Sequence, residues 1–177
     1  MTVTRLRERL AGTRAPDDPT DVTMPPGSET WPEFMREQIL RTLAPAGVLI
    51  PILERSEGLA VLLTKRSAEL KHHAGQISFP GGRMEESDPD VVGAALRETH
   101  EEVGIPPHAV SIVGYLAPMP TVSGYAVTPV VGHVEAHVEL DIDRTEVAYA
   151  FEVPLDFLLD ARNQRASERE FQGRRIP

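Results

Sequence analysis

Three carboxylates and one guanidinium carry the densest chemistry in this chain: Arg97, Glu98, Glu101 and Glu102, in the run RETHEEVGI. At helical spacing, residues three and four apart share a face, so the three glutamates project together. Like charges there repel by a few tenths of a kcal/mol per pair. They also occupy a last turn, where the helix dipole favours cations. Arg97 offsets part of this by reaching Glu101 one turn on. Carboxylates gathered against these costs point to a site that holds divalent cations through oxygen ligands. The competing reading is a solvated acidic face.

The elements that position these residues follow from the sequence on either side. Apolar Val92, Leu96 and Val103, with Thr99, recur at three- and four-residue steps and predict one buried helical stripe. Asp88 is the expected N-cap, with Pro89 at the first helical position. Gly104 falls where a left-handed residue ends a helix. Ahead of the helix, Phe79-Pro80-Gly81-Gly82 reads as a strand end and a glycine turn.

Between two strand-like runs lies a second polar concentration: Lys65, Arg66, Lys71, His72 and His73 within nine positions. By composition alone this is a solvated loop.

Together these residues resemble a known family. Gly82, Arg97, Glu98, Glu101, Glu102, Gly104 and Ile105 are similar to the Nudix box, G-x5-E-x7-R-E-U-x-E-E-x-G-U with U apolar. Two departures stand out. The middle acid is Asp88, separated from Arg97 by eight residues rather than seven, and Thr99 replaces the aliphatic residue after Glu98. Arg66, Ser67, Leu70, His73, Gly75, Phe79, Pro80, Gly81 and Gly82 resemble the signature of the coenzyme A pyrophosphatase branch. Glu146-Val147 and Glu152-Val153-Pro154-Leu155 extend the likeness more weakly.

The resemblance implies a Nudix fold, hydrolysis of a diphosphate, and Mg²⁺ or Mn²⁺ held by Glu98, Glu101, Glu102 and the backbone carbonyl of Gly82. Such ions would neutralise the diphosphate's charge and acidify a bound water. Arg97 is expected to orient the glutamates. Glu98 and Glu146 are both open as general base. The branch signature implies coenzyme A or acyl-coenzyme A as substrate, split to 4′-phosphopantetheine and adenosine 3′,5′-bisphosphate. Arg66, Lys65, His73 and Gly81 are the expected substrate-binding residues, with Lys71 a nearby option. Arg66 is the favoured reader of the 3′-phosphate; pairing with Glu69 is the structural alternative. Rival readings are another nucleoside diphosphate derivative, such as ADP-ribose or NADH, or a non-catalytic nucleotide-binding regulator.

Composition sets the outer limits. At 177 residues and 41% hydrophobic, the chain suits one domain with a sizeable core. It has no cysteine, which excludes disulfides and thiolate metal sites and leads to an expected cytoplasmic location. A net charge of −9 argues against nucleic acid as a partner, and no apolar run long enough to span a membrane occurs.

In chain order, Thr4–Leu10 is expected to be a short basic helix and Thr13–Glu29 a linker or extended arm, with arm exchange in a homodimer the alternative. The organisation expected is thus an N-terminal arm over 1–30 and a Nudix domain over 31–177. Trp31–Leu43 reads as a packed helix, Ala46–Leu53 and Leu59–Thr64 as a hairpin, and Ile77–Pro80 as a short strand. Val110–Leu116, Ala126–Val134 and Val147–Val153 read as further strands, and Pro154–Asp160 as a short helix. The fold class is therefore α+β, an α/β/α sandwich on a mixed sheet. The run at Arg174–Pro177 looks like the start of a strand. Because similar family members continue with a further strand and helix, the C-terminal end is expected to be truncated.

Overall fold

The computed structural model describes residues 1–70, 73–165, 169–171 and 174–176; Lys71, His72 and Pro177 lie outside the described residues. Its centre is a mixed sheet. Strand β1 (Ala44–Arg55) turns at Ser56-Glu57 into β2 (Gly58–Arg66), and the two pair antiparallel. On its other side β1 runs parallel to β7 (Tyr125–Val134), which pairs antiparallel with β5 (Val110–Tyr115). β8 (Val147–Pro154) lies antiparallel to β2. Three very short strands complete the sheet: β3 (Ile77–Ser78) on β2, β4 (Gly81–Arg83) on β1, and β6 (Met119–Pro120) on β7. β9 (Arg169–Phe171) and β10 (Arg174–Ile176) form a separate antiparallel pair.

Side chains alternate across a strand, so β1 has two faces. Leu49 packs with Ala95 and Val130, and Leu53 packs with Leu62, Val103, Ile105 and Val134. This face is covered by α3 (Val91–Val103). Ile52, between them, belongs to the opposite layer with Leu59, Val61, Val113, Val131 and Leu155. There α1 (Val3–Leu10) and α4 (Leu155–Leu159) close the core, α1 through Leu6 and Leu10. The α/β/α layering expected from sequence is present.

The N-terminal segment is fastened to the region around β5. Thr13 Oγ1 accepts the Tyr115 N–H at 3.0 Å, and the Thr23 N–H donates to the Pro118 carbonyl at 2.8 Å. α2 (Glu33–Leu40) is shorter than the expected Trp31–Leu43 helix, because Pro32 precedes it and the backbone leaves the helix after Arg41. It buries Met35 and Ile39 as expected.

One correction falls on α3. Its N-cap is Asp90, not Asp88: Asp90 Oδ1 accepts the N–H groups of Val92 and Gly93 at 2.9 and 2.8 Å. Pro89 therefore precedes the helix. The Asp88 carboxylate is committed to an arginine of the site. Gly104 ends α3 with φ +76°, a left-handed conformation that suits glycine.

Candidate active site

α3 carries the carboxylates, and their burial differs sharply. Glu101 is exposed, Glu98 is largely covered, and the Glu102 side chain retains only 3% exposure. The apolar stripe of α3 falls on Val91, Ala94, Ala95, Thr99 and Val103, with Val92 and Leu96 at its margin. That stripe rotates Glu102 inward. Thr99 fits where an aliphatic residue was expected because its hydroxyl donates to the Ala95 carbonyl at 2.6 Å, which satisfies it inside the core.

Arg97 ties the acidic face together. Its Nε and Nη2 donate to the two oxygens of Asp88 at 2.9 and 3.0 Å, and Nη1 donates to Glu98 and Glu101, both at 3.0 Å. Nη2 also reaches the Arg83 carbonyl at 3.2 Å. The planar fork of arginine suits this work, since one guanidinium meets three carboxylates and a backbone oxygen. Asp88, whose other contact is the Glu85 N–H at 2.8 Å, is held below the usual carboxylate range by the Arg97 hydrogen bonds. Arg97 is in turn held still more firmly in its charged form, first by Asp88. The middle acid of the motif is thus the anchor of the arginine that orients the glutamates.

Glu102 meets the glycine turn and the polar segment at once. Its Oε2 accepts the Gly81 N–H at 3.2 Å, and its Oε1 accepts Arg66 Nη1 at 3.3 Å. Burial pushes the Glu102 carboxyl up to about 7, against the Gly81 and Arg66 contacts and with the charges of Glu98 and Glu146. Burial also raises Glu98. Beside it, Gly82 lies directly against the carboxylate: a Cβ there would be 2.6 Å from the Glu98 carboxyl carbon and would push that group aside.

The turn holding Glu146 is fastened from both sides. The Ser67 N–H donates to the Glu146 carbonyl at 2.7 Å, and the Asp143 N–H donates to the Glu102 carbonyl at 3.1 Å. Glu146 is exposed, yet near enough for its charge to raise both Glu98 and Glu102.

A cleft of about 380 Å³ opens next to this face. Arg66, His73, Gln76, Phe79, Gly81 and Gly82 contribute one part of its lining, all from the segment singled out by sequence. Arg83, Thr121, Ser123 and Tyr125 contribute another part, which sequence reasoning did not single out. The only signal was position, Arg83 following the glycine pair. His73 holds φ +56° and its Nδ1 lies 3.0 Å from Gln76 Oε1. Lys65, by contrast, sets its ammonium 5.5 Å from the centre of the Tyr149 ring and is not part of the cleft lining. Arg66 pairs with Glu102 rather than Glu69.

The donor set suits a hard divalent cation: all oxygen, partly desolvated, and mutually repelling. Among the described residues no three acidic or histidine groups are gathered closely enough to enclose an ion by themselves. Arg97 occupies oxygens of Glu98 and Glu101, and Arg66 one of Glu102. Such a set fits an ion that keeps waters and substrate phosphates among its ligands, as Mg²⁺ commonly does.

A mixed sheet between helical layers, with a glycine turn folded onto a glutamate helix, defines a Nudix architecture. The chain belongs to the Nudix hydrolase family, and the NUDIX domain model matches residues 43–175. Among curated proteins, "Uncharacterized Nudix hydrolase NudL" of Cronobacter sakazakii is 48% identical over 110 residues, 62% of this chain and 57% of that protein. Its namesake in Escherichia coli O7:K1 is 46% identical over 126 residues, 70% of this chain and 65% of that protein. The matches thus span less than two thirds of either relative. Among solved structures, a C. elegans Ap4A hydrolase binary complex has TM-score 0.53 at 18% identity, covering 64% of this chain and 83% of that one. The NUDIX domain of Shewanella oneidensis NrtR, complexed with ADP ribose, has TM-score 0.51 at 19% identity, covering 67% and 76%. These likenesses show the fold. Among the described residues no helix is long and apolar enough to cross a membrane.

Proposed function

We propose that this chain hydrolyses the diphosphate of coenzyme A or its acyl derivatives, giving 4′-phosphopantetheine and adenosine 3′,5′-bisphosphate. One observation carries the reading. The Arg66–Gly82 segment, which resembles the coenzyme A pyrophosphatase signature, lines a cleft and bonds through Gly81 and Arg66 directly to the buried Glu102.

Glu98, Glu101 and Glu102, with the Gly82 carbonyl, would hold Mg²⁺ or Mn²⁺. Bound there, the cation supplies charge neutralisation for the diphosphate and lowers the pKa of an attacking water. Arg97 keeps Glu98 and Glu101 in fixed rotamers, and Asp88 keeps Arg97 in place. Arg66 and the Gly81 N–H each occupy one oxygen of Glu102, which leaves its remaining lone pairs for a ligand. The general base is Glu146. Of the four carboxylates it alone accepts no side-chain hydrogen bond among the described residues, so it is free to take a proton from water.

A panel of coenzyme A, dephospho-coenzyme A, ADP-ribose and NADH, each with Mg²⁺ and Mn²⁺ and with products separated by chromatography, tests this reading. Coenzyme A should give the highest kcat/KM. ADP-ribose is the first competitor, being bound by the NrtR domain named above. A higher kcat/KM on ADP-ribose or NADH would replace the substrate assignment. Absence of turnover on all four would favour a nucleotide-binding regulator.

A further inference from the structure

The cleft contains two arginines, and the fold gives them different work. Arg66 is on the α3 side: its Nη1 is committed to Glu102, its Nε is buried without a hydrogen-bond partner, and its side chain keeps 25% exposure. Arg83 belongs to β4, where its pairing partner on β1 is Ala46, while Gly82 pairs with Gly47. The side-chain directions of Gly47 and Gly82 point at α3, the first towards the Val91 carbonyl and Ala95, the second at the Glu98 carboxylate. Alternation sends Ala46, Val48 and Arg83 to the opposite face. That face is the cleft floor, which Val127 extends as the parallel partner of Ala46.

Arg83 is exposed, and among the described residues its guanidinium has no acid or hydrogen-bond partner; only its carbonyl is used, by Arg97. Among the described residues the other basic side chains near the cleft are engaged: Arg66 by Glu102, Lys65 by Tyr149, and the His73 ring by Gln76. A guanidinium left free above an apolar floor, on the face turned away from the carboxylates, suits a phosphate monoester distant from the bond being cut. The same arrangement makes it a poor partner for the diphosphate held at α3.

We propose that Arg83 is a specificity-determining residue that binds the phosphate monoester on the substrate's nucleoside. This rests on the reading above, where that group is the 3′-phosphate of coenzyme A. It also transfers to Arg83 a role that sequence gave to Arg66.

Two measurements test it. In turnover with Mg²⁺, R83Q should lose about 10- to 100-fold in kcat/KM on coenzyme A, the range of a charge-assisted hydrogen bond. On dephospho-coenzyme A it should lose less than about threefold, and R83K should recover part of the loss, as a point charge can. Equal losses on both substrates, or a specific loss in R66K but not R83Q, would overturn the proposal and leave the hydrolase reading intact. Calorimetry of adenosine 3′,5′-bisphosphate and 5′-AMP binding needs no turnover. The parent should bind the bisphosphate at least about tenfold more tightly than AMP, and R83Q should abolish the difference. That result in a protein inactive on coenzyme A would sustain the subsite and sink the hydrolase reading. No preference for the bisphosphate in the parent would sink the subsite.

Discussion

The acidic face of α3 and the cleft beside it are built by opposite means. Beside α3 both arginines are already engaged: Arg97 cross-links Asp88, Glu98 and Glu101, and Arg66 of β2 holds Glu102. The glutamates have little freedom, and burial keeps two of them reluctant to ionise. Across the sheet the cleft floor is apolar and Arg83 is unpaired among the described residues. A fixed, charge-dense face suits chemistry on a diphosphate, where preorganised groups act without rearranging. An open wall with a cation left unpaired among the described residues suits choosing among nucleotides. Rate and selection should therefore fail separately when either region is altered.

The largest expected effect is on rate. E146Q should lower kcat about 100-fold or more, the scale of general-base catalysis, with the Mg²⁺ dependence unchanged. Steady-state rates across a Mg²⁺ titration check this; a parent-like kcat would return the base role to Glu98.

Next comes pH. The folded-state pKa of Glu102, about 7, is above the value for an unfolded glutamate. The folded protein then binds more protons than the unfolded one between roughly pH 4.5 and 7, so stability is greatest at the acid end of that window and falls as pH rises. Glu102 alone should remove about 2.5 kcal/mol between pH 5 and 8 without divalent ions, and Glu98 acts in the same direction. Urea unfolding in EDTA at the two pH values measures it, and saturating Mg²⁺ should flatten the slope. A rise in stability with pH would contradict the burial of Glu102.

A smaller effect is expected at the anchor. D88N retains one acceptor for Arg97 and loses the other, so unfolding should become easier by about 1–2 kcal/mol. The loss should appear in urea midpoints, with kcat falling because Glu98 and Glu101 lose their fixed arginine. Unchanged stability would mean Arg97 needs no anchor.

The two regions also differed in how far the sequence exposed them. The glutamate face was legible because helical period is local: residues 98, 101 and 102 share a side wherever that helix sits. The N-cap was misplaced by two residues because Asp88 and Asp90 flank the same proline, and what separates them is tertiary. Arg97, nine residues on, claims Asp88 and leaves Asp90 to cap. The long strands were legible from apolar runs and β3 from the short run Ile77–Pro80, whereas β4 and β6, at three and two residues, carry no period. The Arg66–Glu102 contact joins positions 36 apart, and the cleft takes walls from three separate segments. No local pattern marks Arg83 as a cation unpaired among the described residues.

The most direct test of this division is E102Q assayed at saturating Mg²⁺ on coenzyme A and on dephospho-coenzyme A, with folding verified by circular dichroism. Because Glu102 belongs to the diphosphate side, kcat should fall roughly 100-fold, a few kcal/mol of lost charge stabilisation. The loss should be the same on both substrates, and the parent's preference between them should survive. A folded E102Q that turns over at the parent rate, or that loses activity on one substrate alone, would contradict the account.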